Sequence, residues 1–491
     1  MSIDELIATP EGKTLEFKRD LSSPKSLLKT LVAFANTAGG RVIVGMADDR
    51  RVIGVSDPLS SEERLCSLIA DSIAPRLVPN VEMTTVDGRT LLVVEAFVSG
   101  LRPHYLKAEG PECGVYVRLG STNRQADREL IAELRRSAEG TAFDEMPLPE
   151  LTVDALDLEG AQGFFGTTRT LNEKALVTLK LLTRHQNRLV PTKGAVLLFG
   201  KERATYFPDA WVQCGRFVGK DKAHIFDHID LDESLPRAVE SIMLFLKKHA
   251  MRGADFTETR RKDIWSIPLT ILREVVINAV VHADYSQRGA PARVAFFDDR
   301  IEVENPGILL PGMTVDDMKQ GISKIRNPVI ARVFRELHLI EQWGSGVKRV
   351  FREAAELGLP ELQIIEIGMR LRFVVPLLKP VVAREEVGGA RAFQRLESRL
   401  ESRLESRLES RLAAKVLLAL ANAEYGKAAL ADQLGHKTVS GELHKQCKRL
   451  LEFGLIEMTV PEKPNSRLQR YRVTPKGRQL VRLSDAEITG A

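Results

Sequence analysis

Apolar residues recur at helical spacing in residues 272–285, which read LREVVINAVVHADY. Within this stretch, Glu274, Asn278 and His282 occupy every fourth position, so one face of a single helix carries all three side chains. A carboxylate, an amide and an imidazole in one row on an otherwise apolar helix indicate a binding or catalytic site. The alternative is a solvated stripe on an amphipathic helix, which is what most such rows are.

Two later patterns favour a site. Residues 293–307 alternate as a strand, a turn and a second strand, and they end in Asn305-Pro306-Gly307. Residues 343–348, WGSGVK, form a Gly-x-Gly turn ahead of a helix. The three patterns in this order resemble the GHKL ATPase fold of gyrase, MutL and histidine kinases, and in particular its RecG-like ATP-binding variant. The resemblance covers about residues 264–376 and predicts a GHKL-like α/β sandwich.

The resemblance implies roles for individual residues, with ATP and Mg²⁺ as cofactors. Glu274 would activate the attacking water, and Asn278 would bind Mg²⁺ through its carbonyl oxygen. Backbone N–H groups at Gly344 and Gly346 would approach the phosphates. The other residues expected to bind nucleotide are His282, Asn305, Gly307, Arg326 and Lys348.

The chain departs from the GHKL pattern at the base-reading position. Asn305 stands where the fold usually has an Asp that accepts a hydrogen bond from the adenine amino group, and Leu309 replaces a glycine of the same motif. An amide oxygen accepts the same hydrogen bond without the charge. The sequence therefore predicts nucleotide binding with at most a weak ATPase activity, and it leaves the preference for adenine open.

The N-terminal 140 residues predict an α+β domain. Its alternating strand at 11–18 reads EGKTLEFK, and the later stretches FANTAGGRVIVGMADD and VYVRLGST complete a pattern that resembles the Schlafen-type AlbA domain. That resemblance implies nucleic-acid binding. In its nuclease members two Glu and an Asp hold a metal beside a Lys; Glu11, Glu16 and Lys18 fit, but Ala47 stands where the third acid is expected and Asp48 follows it.

The intervening segments divide the rest of the chain. Residues 141–170 read as a linker, and 171–380 as the ATP-binding module. Within that module we expect a helix at 172–182, a helix at 233–248, and a buried strand at 194–199, GAVLLF, that pairs with a strand at 211–217.

The C-terminal part begins with a second linker at 381–412, which contains the repeat LESRLESRLESRLESRL at 396–412. Every i,i+4 pair of this repeat is like with like, which stabilises no single helix, so it is either a spacer or an intermolecular contact. Residues 413–491 follow the order helix, helix, helix, two strands, the pattern of a winged helix-turn-helix. DNA contact is expected from Lys437, Ser440, Lys445, Lys448, Arg449 and Arg467, although winged helices also bind proteins.

Composition limits the remaining possibilities. The chain has 491 residues, a formal net charge of +5 and four scattered cysteines, which suits several domains in a reducing compartment. The N-terminus does not read as a signal peptide, and no apolar run reaches the ~18 residues of a membrane span. No P-loop motif is present, which argues against a P-loop helicase motor.

Together these patterns predict an α+β multidomain, cytoplasmic protein without a membrane segment. We expect a homo-oligomeric, ATP-binding transcriptional regulator that binds nucleic acid, either DNA or RNA. The alternative is a metal-dependent Schlafen-type nuclease that acts on RNA or DNA in stress or phage defence.

Overall fold

The computed structural model describes residues 2–250, 252–255, 262–340, 346–381, 408, 410–422, 424–434, 441–459, 462, 469–478 and 480. The chain divides into two compact units, Met1–Ala383 and Arg384–Ala491. The fold is mixed α+β, as the sequence predicts. Four of the predicted site residues, Gly344, Lys437, Ser440 and Arg467, lie outside the described residues, as does most of the tetrapeptide repeat.

The first part of unit 1 is a four-stranded sheet in the order β1-β2-β5-β4. β1 runs parallel to β2, whereas β2, β5 and β4 pair antiparallel. Apolar side chains of α2 such as Leu31 and Phe34 pack on one face of this sheet, and α1 packs with the other. The elements up to residue 138 are α1 Ile3–Ala8, β1 Leu15–Lys18, α2 Pro24–Asn36, β2 Gly40–Val44, α3 Pro58–Ser72, β3 Ile73–Ala74, β4 Asn80–Val86, β5 Arg89–Ala96, β6 Tyr105–Leu106, α4 Gly110–Cys113, β7 Tyr116–Leu119, β8 Thr122–Gln125 and α5 Arg128–Ala138.

The rest of unit 1 is organised around a six-stranded sheet in the order β12-β11-β15-β16-β18-β17. β11 and β15 are parallel, and the other neighbours are antiparallel. Helices α8, α10, α11, α13 and α14 contribute to one large apolar core with this sheet. The elements are two 3₁₀ turns at Phe143–Glu145 and Val153–Ala155, then α6 Leu158–Phe165, α7 Glu173–Thr178, β9 Leu182–His185, β10 Arg188–Pro191, α8 Lys193–Phe199, α9 Arg203–Tyr206, β11 Val212–Phe217, β12 Ile225–Leu231, α10 Leu235–His249, β13 Arg252–Asp255, β14 Lys262–Trp265, α11 Leu269–His282, β15 Ala292–Phe296, β16 Arg300–Pro306, α12 Val315–Gln320, α13 Pro328–Glu336, α14 Gly346–Glu356, β17 Gln363–Ile367 and β18 Arg370–Pro376.

The prediction of a strand at 194–199 is wrong, because these residues form helix α8. Thr192 caps the helix by accepting a hydrogen bond from the Ala195 N–H at 3.1 Å. All residues from Gly194 to Phe199 are buried, so a helix that is covered on every side produces the same apolar run as a central strand. Strand β11 therefore pairs with β12 and β15. The helix expected at 172–182 is shorter than predicted, since α7 ends at Thr178.

Unit 2 follows the predicted order of three helices and two antiparallel strands. These elements are α15 Arg411–Asn422, α16 Lys427–Gln433, α17 Gly441–Glu452, β19 Ile456–Met458 and β20 Tyr471–Val473. Their core includes Leu417, Leu430 and Leu450. Leu408, from the end of the tetrapeptide repeat, is buried in the same core. The last turn of the repeat is therefore part of this unit's packing.

Candidate nucleotide and nucleic-acid sites

Helix α11 presents its polar row to a cavity of about 420 Å³. Its apolar residues, among them Leu272, Val275 and Val276, are buried in the core and fix the rotation of the helix. Seven of the predicted nucleotide-site residues line the cavity: Glu274, Asn278, His282, Asn305, Gly307, Arg326 and Gly346. Lys348 lies outside this lining and is exposed on α14. A cavity of this size, with apolar walls and a few convergent polar groups, is typical of small-molecule sites.

Glu274 is held in place from three sides. The Asn278 amide donates to Glu274 Oε1 at 3.1 Å, and Arg349 Nη2 lies 3.0 Å from Glu274 Oε2. A Cβ atom on Gly346 would come within 1.8 Å of Glu274 Oε1, so the carboxylate rests directly against this glycine. The carboxylate is thus oriented before any ligand arrives. Sequence reasoning missed Arg349, although it lies three residues after Gly346 on the helix predicted to start there.

His282 and Asn305 line the cavity beyond Asn278. His282 is half-buried, and desolvation lowers the pKa of its imidazole to about 4, so the ring is neutral at physiological pH. Asn305 is buried, and its amide nitrogen donates to the carbonyl oxygens of Pro306 at 3.0 Å and His282 at 3.5 Å. With the NH₂ group directed at backbone carbonyls, the amide oxygen of Asn305 is the atom left to accept a hydrogen bond from a ligand.

Arg326 lines the cavity but is already engaged by the protein. Its guanidinium forms a buried ion pair with Glu133 of α5 and donates to the carbonyl oxygen of Ile308. Burial lowers the pKa of this guanidinium to about 10, which still leaves it charged. The phosphate contact predicted for Arg326 would therefore compete with an existing carboxylate partner.

The predicted nuclease residues are only partly brought together. Glu16 is buried on β1, where Lys18 Nζ lies 2.5 Å from its Oε1 and Arg118 pairs with its Oε2. Glu11 is exposed and accepts a hydrogen bond from the Phe17 N–H at 2.8 Å, and Asp48 is exposed in the turn after β2. Among the described residues, no group of three or more His, Cys, Asp or Glu is placed to hold a metal ion.

Arg118 was not among the predicted site residues, although the quoted motif VYVRLGST contains it. Its side chain is 1% exposed, and it reaches the Gly12 carbonyl oxygen at 3.0 Å as well as Glu16. The sequence gives no signal of this pairing, because Arg118 and Glu16 are far apart along the chain. Lys18 and Arg118 thereby each pair with one oxygen of the Glu16 carboxylate.

The basic residues of α17 have different surroundings. Lys445 and Lys448 are exposed, and Lys448 Nζ lies 4.0 Å from Glu452 one turn further on. The Arg449 guanidinium stacks 5.3 Å from the centre of the Phe453 ring. Two cations on one exposed helix face are available for a phosphate backbone.

Comparison with known proteins assigns both parts of unit 1. Residues 11–127 match the family described as Schlafen, AlbA_2, and residues 289–375 match the one described as "Putative ATP-dependent DNA helicase recG C-terminal". The chain combines a Schlafen AlbA domain with a RecG-type ATPase-like domain. Helix α11 precedes the second match, so the roles of Glu274 and Asn278 rest on geometry. Residues 413–474 match the C-terminal domain of Fic-like proteins, "Filamentation induced by cAMP".

Two solved structures are similar to this chain. The N-terminal domain of a RecG-related protein from Nitrosomonas europaea is 33% identical over 25% of this chain and 89% of that chain, with a TM-score of 0.21. The DIP2311 protein of Corynebacterium diphtheriae is 19% identical over 98% of this chain and 97% of that chain, with a TM-score of 0.41. No curated protein matches the chain.

The two domain assignments indicate an ATP-binding function related to nucleic acid. In the part of the chain that the structure describes, no helix is both long enough and apolar enough to cross a membrane.

Proposed function

We propose that the chain is a cytoplasmic transcriptional regulator that binds ATP-Mg²⁺ in the cavity beside α11 and binds nucleic acid through its AlbA domain and its C-terminal unit. The observation that carries the nucleotide site is the convergence of Glu274, Asn278 and Gly346 at one end of the cavity and of Asn305 at the other. The end at Glu274 and Asn278 suits Mg²⁺ and phosphates, and the amide of Asn305 suits a base.

The base end supports adenine as the base. The oriented amide of Asn305 offers an acceptor oxygen, which the exocyclic amino group of adenine satisfies. The carbonyl oxygen of guanine at the equivalent position would meet that acceptor unfavourably, because two acceptors share no proton. Neutral His282 adds no charge that would alter this preference.

Regulation is favoured over RNA or DNA cleavage by the surroundings of Glu16. Lys18 and Arg118 already neutralise its carboxylate, and a divalent metal would have to displace a buried guanidinium. A positively charged cluster around one acid suits phosphate contact better than metal-dependent hydrolysis. The AlbA domain is therefore proposed to bind nucleic acid without cutting it.

The C-terminal unit is proposed to be a winged helix in which α17 approaches duplex DNA. Three helices followed by a two-stranded antiparallel ribbon support this, together with exposed Lys445 and Lys448 on α17. Arg449, stacked on Phe453, would contact a phosphate at the edge of the same face. A dimer or larger homo-oligomer would present two such helices to paired half-sites.

A thermal-shift measurement tests the nucleotide site. A ligand that binds only the folded state raises the melting temperature, so millimolar ATP-Mg²⁺ should stabilise the full chain. Asn278→Ala should abolish that gain because it removes the Mg²⁺ ligand. Glu274→Gln should retain binding and lose any hydrolysis. Lys247→Ala, at an exposed position of α10 outside the cavity lining, is the matched control and should behave as the native chain. No shift with ATP would refute the proposal.

A further inference from the structure

Residues 308–327 lie against the cavity that we propose binds nucleotide, and they contact the AlbA domain. They supply part of the cavity lining, including Met313, Lys324 and Arg326. We refer to them as the covering segment. The covering segment makes three direct contacts with the AlbA domain and another through Glu366 of β17. These contacts lie near both ends of the segment.

The first contact joins the two ends of the covering segment to α5. Arg326, at its C-terminal end, donates to the Ile308 carbonyl oxygen at its N-terminal end and pairs with Glu133 of α5. Gly307 takes a φ of +101°, and a Cβ there would lie 3.1 Å from Arg326 Cζ. Only glycine combines this backbone conformation with so close an approach. The Arg326 guanidinium therefore joins the two ends of the covering segment to each other and to α5 of the AlbA domain.

The second contact is apolar. Ile308 is 4% exposed, and it packs in a cluster with Val117 of β7 and Leu130 and Leu134 of α5. The first residue of the covering segment is thus part of an AlbA core. Moving this residue would open a cavity among buried side chains, which interiors resist because they are closely packed.

The third contact reaches Lys13, two residues before the strand that carries Glu16. The Leu309 N–H donates to Glu366 Oε1 at 2.9 Å, and Glu366 Oε2 lies 2.5 Å from Lys13 Nζ. Both side chains of this ion pair are nearly covered, at 5% and 12% exposure. Lys13 directly follows Gly12, whose carbonyl oxygen accepts from Arg118, the partner of Glu16. A backbone bond from the Gly312 N–H to the Thr37 carbonyl oxygen, 2.7 Å long, adds a fourth link.

These routes converge on the same part of the AlbA domain. Arg118 lies on β7, and β7 packs with α5 in the cluster that receives Ile308. A change in the position of the covering segment therefore acts on Arg118 from two directions, through α5 and through Lys13. The four charges Arg326, Glu133, Glu366 and Lys13 balance one another, and neither pair is free to move without leaving a buried charge unpaired.

We propose that the covering segment couples the nucleotide cavity to the nucleic-acid face of the AlbA domain, with the Arg326–Glu133 and Lys13–Glu366 pairs as the coupling contacts. The coupling rests on the nucleotide binding proposed above. A nucleotide that repositions the segment then changes the affinity of the AlbA domain for nucleic acid, and by linkage nucleic acid changes the affinity for nucleotide by the same factor. The factor expected for such coupling is about 5-fold to 150-fold.

Binding measurements on the full chain test the coupling. The affinity for a short fluorescent single-stranded RNA and for a short DNA duplex is measured without nucleotide and with the non-hydrolysable analogue AMP-PNP and Mg²⁺. In the native chain the analogue should change the affinity for at least one of the two by about 5-fold or more. Glu133→Gln and Glu366→Gln each remove one charge while keeping the shape, and each should bring the factor close to one. Either variant suffices if the other does not fold.

The matched control is Glu336→Gln on α13. Glu336 also pairs with an arginine, Arg169, at 2.6 Å, but this pair is partly exposed and lies outside the cavity lining. The control should keep the native factor. The proposal would be overturned if AMP-PNP changed the nucleic-acid affinity equally in the native chain, in Glu133→Gln and in Glu366→Gln. It would also be overturned if the native chain bound AMP-PNP without any change in nucleic-acid affinity.

Hydrogen exchange separates this proposal from the function on which it rests. AMP-PNP should change the exchange of peptides from β7 and α5 in the native chain, and not in Glu133→Gln. If AMP-PNP raises the melting temperature but leaves that exchange unchanged, the coupling fails and the nucleotide site stands. If AMP-PNP produces no shift in melting temperature, both fail.

Discussion

Replacing Asp144 with Asn should stabilise the protein increasingly as the pH rises from 5 to 7. Asp144 is fully buried in the 3₁₀ turn after the AlbA domain. Its Oδ2 accepts hydrogen bonds from the N–H groups of Val329 at 2.8 Å and Ile330 at 3.0 Å, at the start of α13. Its Oδ1 is buried and makes no hydrogen bond with the described residues. Desolvation, partly offset by these two bonds, raises the pKa of this carboxyl from 3.8 to about 7.

The magnitude follows from the proton linkage. Because the folded-state pKa is raised, the folded protein holds a proton that the unfolded chain has released between pH 3.8 and about 7. The stabilisation from this proton is fully present below pH 3.8 and is lost as the pH rises through 7. Each pH unit well inside this window costs about 1.4 kcal/mol, and the loss levels off near the folded-state pKa, so the native chain loses roughly 2 kcal/mol between pH 5 and 7. An amide at this position resembles the protonated acid and carries no such loss.

The assay compares the melting temperatures of the native chain and of Asp144→Asn at several pH values from 5 to 8.5. One kcal/mol shifts the melting temperature by roughly 2–4 °C in a domain of 150–250 residues, and by less in a larger unit. The control is Asp157→Asn, the same change at the exposed cap of α6, where Asp157 accepts from the Gly160 N–H. A difference between Asp144→Asn and the native chain that does not grow with pH would refute the reasoning, as would equal growth in the control.

Three further predictions concern the proposed sites. Gly346→Ala should weaken ATP binding on the order of tenfold, measured by titration, because its Cβ would displace the Glu274 carboxylate and break its charged hydrogen bonds; unchanged affinity would contradict the described packing. A Lys445→Ala, Lys448→Ala double variant should reduce the slope of log affinity against log salt for duplex DNA by about 2, and an unchanged slope would place the contact elsewhere. Light scattering should show an oligomer whose size responds to ATP-Mg²⁺. A monomer with and without nucleotide would contradict this, and an oligomer that persists after deletion of residues 396–412 would make the repeat a spacer.

The elements that the sequence predicted well are those whose signal is local. The polar row on α11 depends only on residues four apart, so its shared face follows from helical spacing. The strand-turn-strand of β15 and β16 is equally local. Helix α8 was mistaken for a strand because complete burial removes the periodicity that distinguishes the two. Gly194 also packs closely against Val329, since a Cβ added at Gly194 would lie only 2.8 Å from the Cβ of Val329. No residue near Gly194 in the sequence indicates this contact.

The partners of the site residues were missed because they lie far away along the chain. Arg349 is 75 residues from Glu274, Arg118 is 102 from Glu16, and Arg326 is 193 from Glu133. A family resemblance transfers the role of a position, but it says nothing of the charge that this particular chain places beside it. Arg326 is an example: the resemblance implies that it contacts a phosphate, but in the structure its guanidinium pairs with the carboxylate of Glu133 in the AlbA domain.

Glu16 illustrates how such a partner changes the functional interpretation. On its own, an acid two residues before a lysine on a strand is compatible with metal-dependent cleavage. With Arg118 buried against it, the same acid already has a counter-charge, and replacing that charge with a metal would leave a buried guanidinium unpaired, which is strongly unfavourable. Arg118 also donates a hydrogen bond to the carbonyl oxygen of Gly12. The next residue, Lys13, forms the ion pair with Glu366. The contact that argues against cleavage is therefore the one through which the nucleotide cavity would act on the nucleic-acid face.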